Sequence, residues 1–395
     1  MSDQLLVGTR KGLFMLRRDS AGAWQTESVH FLGEPVSMAL ADARDGAVYA
    51  ALNLGHFGVK LWRRRAHDAA WEACAVPVYP PQPEADSSGG ATLSGVPAAA
   101  QTEGNAAGAT APAEPQSGRP PPVPWSLQQI WSLEAGGADE PGVLWAGTLP
   151  GGLFRSGDGG ASWALNRPLW DRPERGEWFG GGYDAPGIHS ICVDPHDSRH
   201  VTVAVSCGGV WQTRDGGGNW TCTTSGMVAD YMPPERREDA NIQDPHRLAQ
   251  CTAHPHAMWV QHHNGIFRSG DGGMRWQRLQ AQPSSFGFAV AAHPRRPNTA
   301  WFVPAVKDEC RVPVGGQLVV TRTRDGGHSF EAFSDGLPAA PAYDLIYRHG
   351  LAVDDSGERL AMGSTTGGLW ISENGGERWR MVSAHLPPVY CVRFA

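Results

Sequence analysis

The sequence predicts an all-β protein: one seven-bladed β-propeller over residues 1–395, with the first and last strands sharing a blade to close the ring. Three observations carry this. A Ser/Thr-x-Asp-Gly-Gly-x-x-Trp motif recurs at intervals near fifty residues, a period that belongs to propellers or solenoids. Fifty glycines and 31 prolines make up about a fifth of the 395 residues, a surplus of turn formers over average usage. The chain also ends on a strand-like segment, 389–395, that has no repeat of its own.

The motif is clear at Ser156-Gly-Asp158-Gly-Gly160-Ala-Ser-Trp163, Thr213-Arg-Asp215-Gly-Gly217-Gly-Asn-Trp220 and Ser269-Gly-Asp271-Gly-Gly273-Met-Arg-Trp276. Two further copies are Thr323-Arg-Asp325-Gly-Gly327-His-Ser-Phe330 and Ser372-Glu-Asn374-Gly-Gly376-Glu-Arg-Trp379. Worn copies surround Asp19 and Asp68. An alternating run such as Leu153-Phe154-Arg155-Ser156 precedes each clear copy, the period-two signal of a strand. The Asp-Gly-Gly segment supplies a tight turn, because its carboxylate accepts backbone N–H bonds and its glycines tolerate positive φ. The closing aromatic buries a large apolar surface. These motifs are structural fasteners, and an acid satisfied by its own turn is no free catalyst.

Four strands are expected per unit, in the fourth at 188–195, 200–207, 209–213 and 219–223. The other inner strands are expected at 36–42, 128–134, 248–255, 287–294 and 349–355. The first unit has three, at 5–9, 13–17 and 24–28, so the terminal segment should supply its fourth and remove an exposed sheet edge. The Pro/Ala/Gly-rich stretch 77–124, between the second and third blades, is expected to be a disordered surface insertion.

The formal charge of −7 argues against nucleic acid, which needs a basic face. No apolar run is long enough for a membrane span, and the N-terminus lacks the order of a secretory signal. Seven scattered cysteines without a CxxC pair suit reduced thiols. The cytoplasm is the expected location.

The motif resembles the Asp-box, or BNR, repeats of the sialidase-like propeller superfamily, and the chain is most similar to its bacterial cytoplasmic "glycosyl hydrolase/exo-sialidase-like" members. The resemblance implies the propeller fold. It implies little about activity, because the superfamily spans sialidases, other glycoside hydrolases, receptor domains and assembly factors. True sialidases have six blades, an early Arg-Ile-Pro motif and a Tyr/Glu nucleophile pair. This chain shows none of these, so sialidase activity is not expected.

Propellers commonly bind small molecules where the loops of the top face meet the channel. Bland loops read Gly147-Thr-Leu-Pro-Gly-Gly or Gly363-Ser-Thr-Thr-Gly-Gly, and departures from them mark candidates. The departures bring in Asn53 and His56 in blade 2, Gln261 and His262 in blade 5, and Lys307, Asp308, Glu309 and Arg311 in blade 6. Residues at the heads of inner strands add His189, His246, Tyr343, Arg348 and His349. The loop from Trp170 to Gly187, with Tyr183, is a candidate lid or wall. His196, His200, His254, His256 and His293 fall in bottom-face turns and read as turn residues.

Two chemistries suit the top cluster. His56, His189, His246 and His262, with Glu309, could hold a divalent metal that acidifies water. Alternatively His189, His262, Glu309 and Arg348 form a catalytic group: a carboxyl acts as acid/base while Arg311 and Arg348 grip an anionic or carbonyl group. Either arrangement implies a polar, carbohydrate-like or carboxylate-bearing ligand in the funnel and a hydrolase or lyase reaction. A third reading leaves these side chains hydrating the channel, in a non-catalytic scaffold that holds a protein partner through its rim or the 77–124 insertion.

Overall fold

The computed structural model describes residues 1–82 and 125–395. Among the described residues, twenty-eight strands form seven four-stranded antiparallel sheets, with one short α-helix, Arg167–Trp170, between the third and fourth. The unit made of Met1–Val78 and Leu127–Ala395 is the propeller. The disorder expected for 77–124 lies, from residue 83 on, outside the described residues.

Ring closure is as expected. The terminal strand Val389–Phe394 pairs antiparallel with Gln4–Thr9, Leu5 opposite Phe394 and Val7 opposite Val392, and becomes the innermost strand of blade 1. Inner strands of successive blades touch in cyclic order, including the closing contacts of the terminal strand with Leu351–Val353 of blade 7 and Val36–Ala41 of blade 2. No free edge therefore faces the channel. No helix among the described residues is long and apolar enough to cross a membrane.

Packing between blades rests on large aromatics. Tyr49, Trp145, Trp259 and Trp301 each take the second position of a second strand and are almost wholly buried. Covering one such ring contributes about 1.5–3 kcal/mol. Each Asp-Gly-Gly turn sits between the third and fourth strands, and its acid is fully engaged. Asp158 accepts from Ser162 N–H at 2.8 Å, Ser162 Oγ at 2.6 Å and Ser156 Oγ at 2.8 Å; Asp215 and Asp325 repeat the pattern. The preceding blade then latches the turn. Arg63 donates to Gly159 O at 2.9 Å, Asn166 to Gly217 O at 2.9 Å, Gln212 to Gly272 O at 2.6 Å, and both Trp301 and Arg322 to Gly375 O at 2.8 Å.

Among the boundaries that moved, two have consequences for the site. The inner strand of blade 5 is Pro245–Gln250, starting three residues before the expected 248, so His246 lies inside it. In blade 7 the strand begins only at Leu351, because Arg348–Gly350 forms a 3-10 turn.

Candidate functional site

The inner strands share a defect near their upper ends. Pairing with the second strand skips Ser37 in blade 2, Trp131 in blade 3, His189 in blade 4, His246 in blade 5, Phe288 with Ala289 in blade 6, and Tyr390 in blade 1. A residue left out of the ladder is a bulge, which bends the strand and re-aims its side chain. The result is a ring of re-aimed residues where the blades meet the channel, and four of them, Trp131, His189, His246 and Phe288, build the candidate site.

Arg348, from the 3-10 turn of blade 7, completes it. Its guanidinium lies 4.7 Å from the Trp131 ring centre and 5.8 Å from that of Phe288. Trp131 meets His189 and Tyr183 edge-on at 5.4 and 5.0 Å. In the loop from Trp170 to Gly187, Trp170 and Trp178 are buried, Trp178 packs on Trp211 at 5.8 Å, and Tyr183 meets Trp131. Arg348 makes no ion pair among the described residues, and its Nε has no hydrogen-bond partner. His189 is fully buried. Its Nδ1 meets Ser190 Oγ at 2.9 Å, while Nε2 has no partner. Both ring nitrogens of His349 lack partners too. Burial, reinforced by Arg348 for His189 and by Arg247 and Arg393 for His349, holds both imidazoles well below the usual histidine range.

Below this level the channel is basic. Arg247 donates to His189 O at 3.4 Å and Ser190 Oγ at 3.3 Å, and burial together with Arg393 lowers its pKa to about 10. Arg393 pairs across the channel with Glu134. These residues, with Cys192 and His349, line a cavity of ≈ 780 Å³ that opens toward the opposite face.

A second cluster stands beside the mouth in blade 5. Asp244, His246 and His263 bring one carboxylate oxygen and two ring nitrogens within 4.8 Å of one another. This is the one such group of three among the described residues. Asp244 Oδ2 lies 3.5 Å from His246 Nε2 and 3.4 Å from His263 Nδ1. His246 stacks on Phe288 at 4.5 Å. His263 borders a cleft of ≈ 270 Å³ shared with Lys307, Asp308 and Glu309.

Several expectations need correction. His189 and Arg348 converge, but His262 does not join them. It packs on Phe267 at 5.1 Å inside blade 5, its Nε2 and Nδ1 facing the N–H groups of Asp244 and Asn264 at 3.1 and 3.0 Å, of which the neutral ring accepts one. Side chains alternate along a strand, so its neighbour His263 is the one that reaches the cleft. Gln261 is likewise structural, donating to Ser285 O at 2.9 Å. Glu309 is 77% exposed, 3.6 Å from Lys307 on a separate hairpin. Arg311 is held by Asp308 at 2.7 Å and Tyr347 OH at 3.3 Å, with Phe288 5.3 Å beneath it. Tyr343 is exposed, His56 is exposed against Phe57, and Asn53 caps its own loop through Gly55 N–H at 3.2 Å. The metal set His56, His189, His246 and His262 is therefore not assembled; of these, only His246 belongs to the three-donor group. Trp131, Phe288 and Arg393 escaped the sequence reading, while Asp244, Arg247 and His263 stood within the flagged segments 244–247 and 261–264 without being singled out. Phe288 is the second residue of its inner strand and Trp131 the third of its own, so comparing the heads of the inner strands would have found both.

The chain matches no protein-family model and no curated protein. Solved structures resemble it in fold. An ancestral GH74 enzyme superposes with a TM-score of 0.56 at 16% identity over 88% of this chain, which spans only 38% of that enzyme's length. A Bacteroides fragilis protein provisionally described as a 6-phosphogluconolactonase gives 0.52 at 11% identity, covering 99% of this chain and 97% of the other. YCF48 bound to D1 peptide gives 0.46 at 12% identity, covering 88% and 82%. At these identities the likeness to the first two establishes a shared fold alone.

Proposed function

We propose that this propeller binds a polar, anionic small molecule at the top of its channel and performs hydrolysis or elimination on it. The observation that carries the reading is Arg348: a buried guanidinium with aromatic faces around it and no carboxylate paired to it. A buried charge with no ion-paired partner is costly, Asp244 favouring it only through space, and each unpartnered buried polar atom costs about 1–3 kcal/mol. A carboxylate or phosphate seated on Arg348 offsets both. His189 and His349, neutral at pH 7, have free ring nitrogens to bond the ligand and move a proton. Trp131 and Tyr183 offer the flat apolar walls that sugar rings and other small polar ligands favour.

The Asp-Gly-Gly turn geometry supports reading the repeats as Asp-boxes. Seven free cysteines support a reducing location such as the cytoplasm.

Thermal shift against gluconate, glucuronate, glucose 6-phosphate and glucose tests the reading. The anionic members should raise the Tm and glucose should not, and Arg348→Met should abolish the shift. No response to any anion at 10 mM (about 3 kcal/mol of binding), or an undiminished response in the variant, overturns it. The scaffold reading draws on a different observation: Leu32 and Phe57, 81% and 70% exposed, occupy neighbouring top-face loops of blades 1 and 2. Capture of a protein partner that Leu32→Asp with Phe57→Asp abolishes would favour it.

A further inference from the structure

We infer that Asp244, His246 and His263 form a binding site for one divalent transition-metal ion of the zinc class. The inference is independent of the ligand proposed for the funnel.

The hydrogen bonds of His246 carry the first step. Its Nδ1 lies 2.7 Å from Gly287 O, which can only accept, so Nδ1 holds a proton. In the neutral ring, Nε2 is then a bare lone pair, aimed at the acceptor Asp244 Oδ2 across 3.5 Å. Two acceptors facing each other inside a buried site require something positive between or beside them. A proton shared in a charge-assisted hydrogen bond would draw the pair to about 2.7–2.9 Å. The observed separation is larger, and His263 Nδ1 stands off the same oxygen by a near-equal 3.4 Å. Two donors bound at about 2.0–2.2 Å to one tetrahedral ion lie roughly 3.3–3.6 Å apart. Both distances fall in that span.

The surroundings resemble those of metal sites in general. The ligand His246 donates its other ring N–H to a backbone carbonyl, the arrangement that fixes tautomer and ring orientation. Asp244 Oδ1 accepts from Cys207 N–H at 3.3 Å. Two main-chain links hold the donors together: Asp244 N–H to His262 Nε2 at 3.1 Å, and His263 N–H to Asp244 O at 2.9 Å. His262 thus acts as a positioning residue. Asp244 and His246 are buried, while His263 borders the cleft of ≈ 270 Å³. Three protein donors with one side toward a cleft leave a coordination position for water or ligand, the pattern of catalytic rather than structural sites. Two imidazoles and one carboxylate suit zinc or iron(II) better than calcium or magnesium, which prefer all-oxygen shells.

The test uses the full chain, stripped with chelator and titrated with Zn²⁺ by calorimetry, then with Co²⁺ followed by its visible absorption. One equivalent of each ion should bind at micromolar concentration or tighter. His263→Ala and His246→Gln should each weaken binding at least about 100-fold. His263 is at a hairpin edge, so His263→Ala should melt close to wild type and separates lost binding from lost folding. His254→Ala with His256→Ala removes the neighbouring histidine pair of the bottom face and should bind as wild type does. Absence of a micromolar site in wild type, full binding in His263→Ala, or loss of binding in the His254/His256 variant overturns the proposal.

Discussion

The Arg348 guanidinium sits 4.7 Å from the centre of the Trp131 ring, although the two residues stand at the heads of inner strands three blades apart. The contact spans the channel mouth, and only ring closure makes it achievable. It also fixes where a buried positive charge stands at the channel mouth. Trp131→Leu should release that guanidinium. A desolvated cation–π contact contributes about 1–2 kcal/mol, so affinity for the anion that binds should fall about 5- to 30-fold. Calorimetry reads the change; an unaltered affinity would detach Trp131 from the site.

Closure itself can be probed at the C-terminus. Val389, Cys391 and Val392 are buried in the innermost strand of blade 1. Removing 389–395 leaves Gln4–Thr9 as an exposed edge lining the channel. The shortened chain should lose its cooperative melt and aggregate, as light scattering and calorimetry would record. A cooperative transition within a few degrees of wild type would contradict the shared blade.

The turn acids predict an acid limit. Hydrogen bonds from Ser162 and Ser156 hold the Asp158 carboxyl at about 2, and those from Asn219 and Thr213 hold Asp215 at about 2. In the unfolded chain both titrate near 4. Their contribution is therefore complete above about pH 4 and disappears as pH falls toward 2. The Tm should drop steeply through that window, and Asp158→Ala should lower the Tm at pH 7 and shrink the drop. Asp325→Asn should be nearly silent, because Asn374 already does this job in blade 7, its Oδ1 accepting from Arg378 N–H at 3.0 Å.

Buried imidazoles set a second dependence, at higher pH. His189 and His349 remain neutral in the fold but protonate near 6.5 when unfolded. Below 6.5 the unfolded state binds more protons, so stability falls on acidification, by up to about 1.4 kcal/mol per pH unit for each group. Denaturant unfolding at pH 7.5 and 5.5 should show a loss of about 2 kcal/mol or more, reduced in His349→Gln. Equal loss in the variant would mean that His349 is hydrated and titrates normally.

The legible part of this protein was its repeat. The period, the Asp-Gly-Gly turns and the orphan terminal strand are local patterns, each spelled out within a few residues, and they lead to seven blades and a shared first blade. The site was legible only in part. The heads of the inner strands flagged His189, Arg348 and His349, which do face one channel. Departure from the bland loops flagged Gln261 and His262, whose polar atoms serve the hairpin, because a polar residue at a strand end reads alike whether it bonds its own backbone or a ligand. It passed over Trp131 and Phe288, whose aromatic character suits a core as well as a funnel wall.

The sequence alone determined what recurs: how long each unit is, where it turns, and that the ends must meet. The tertiary structure decided which of two neighbours, His262 or His263, turns toward the cleft, and which residue of six inner strands leaves the ladder. The physical reason is that a bulge is a one-residue shift in pairing, set by how a strand fits between two neighbours. A one-residue shift sends a side chain to the opposite face.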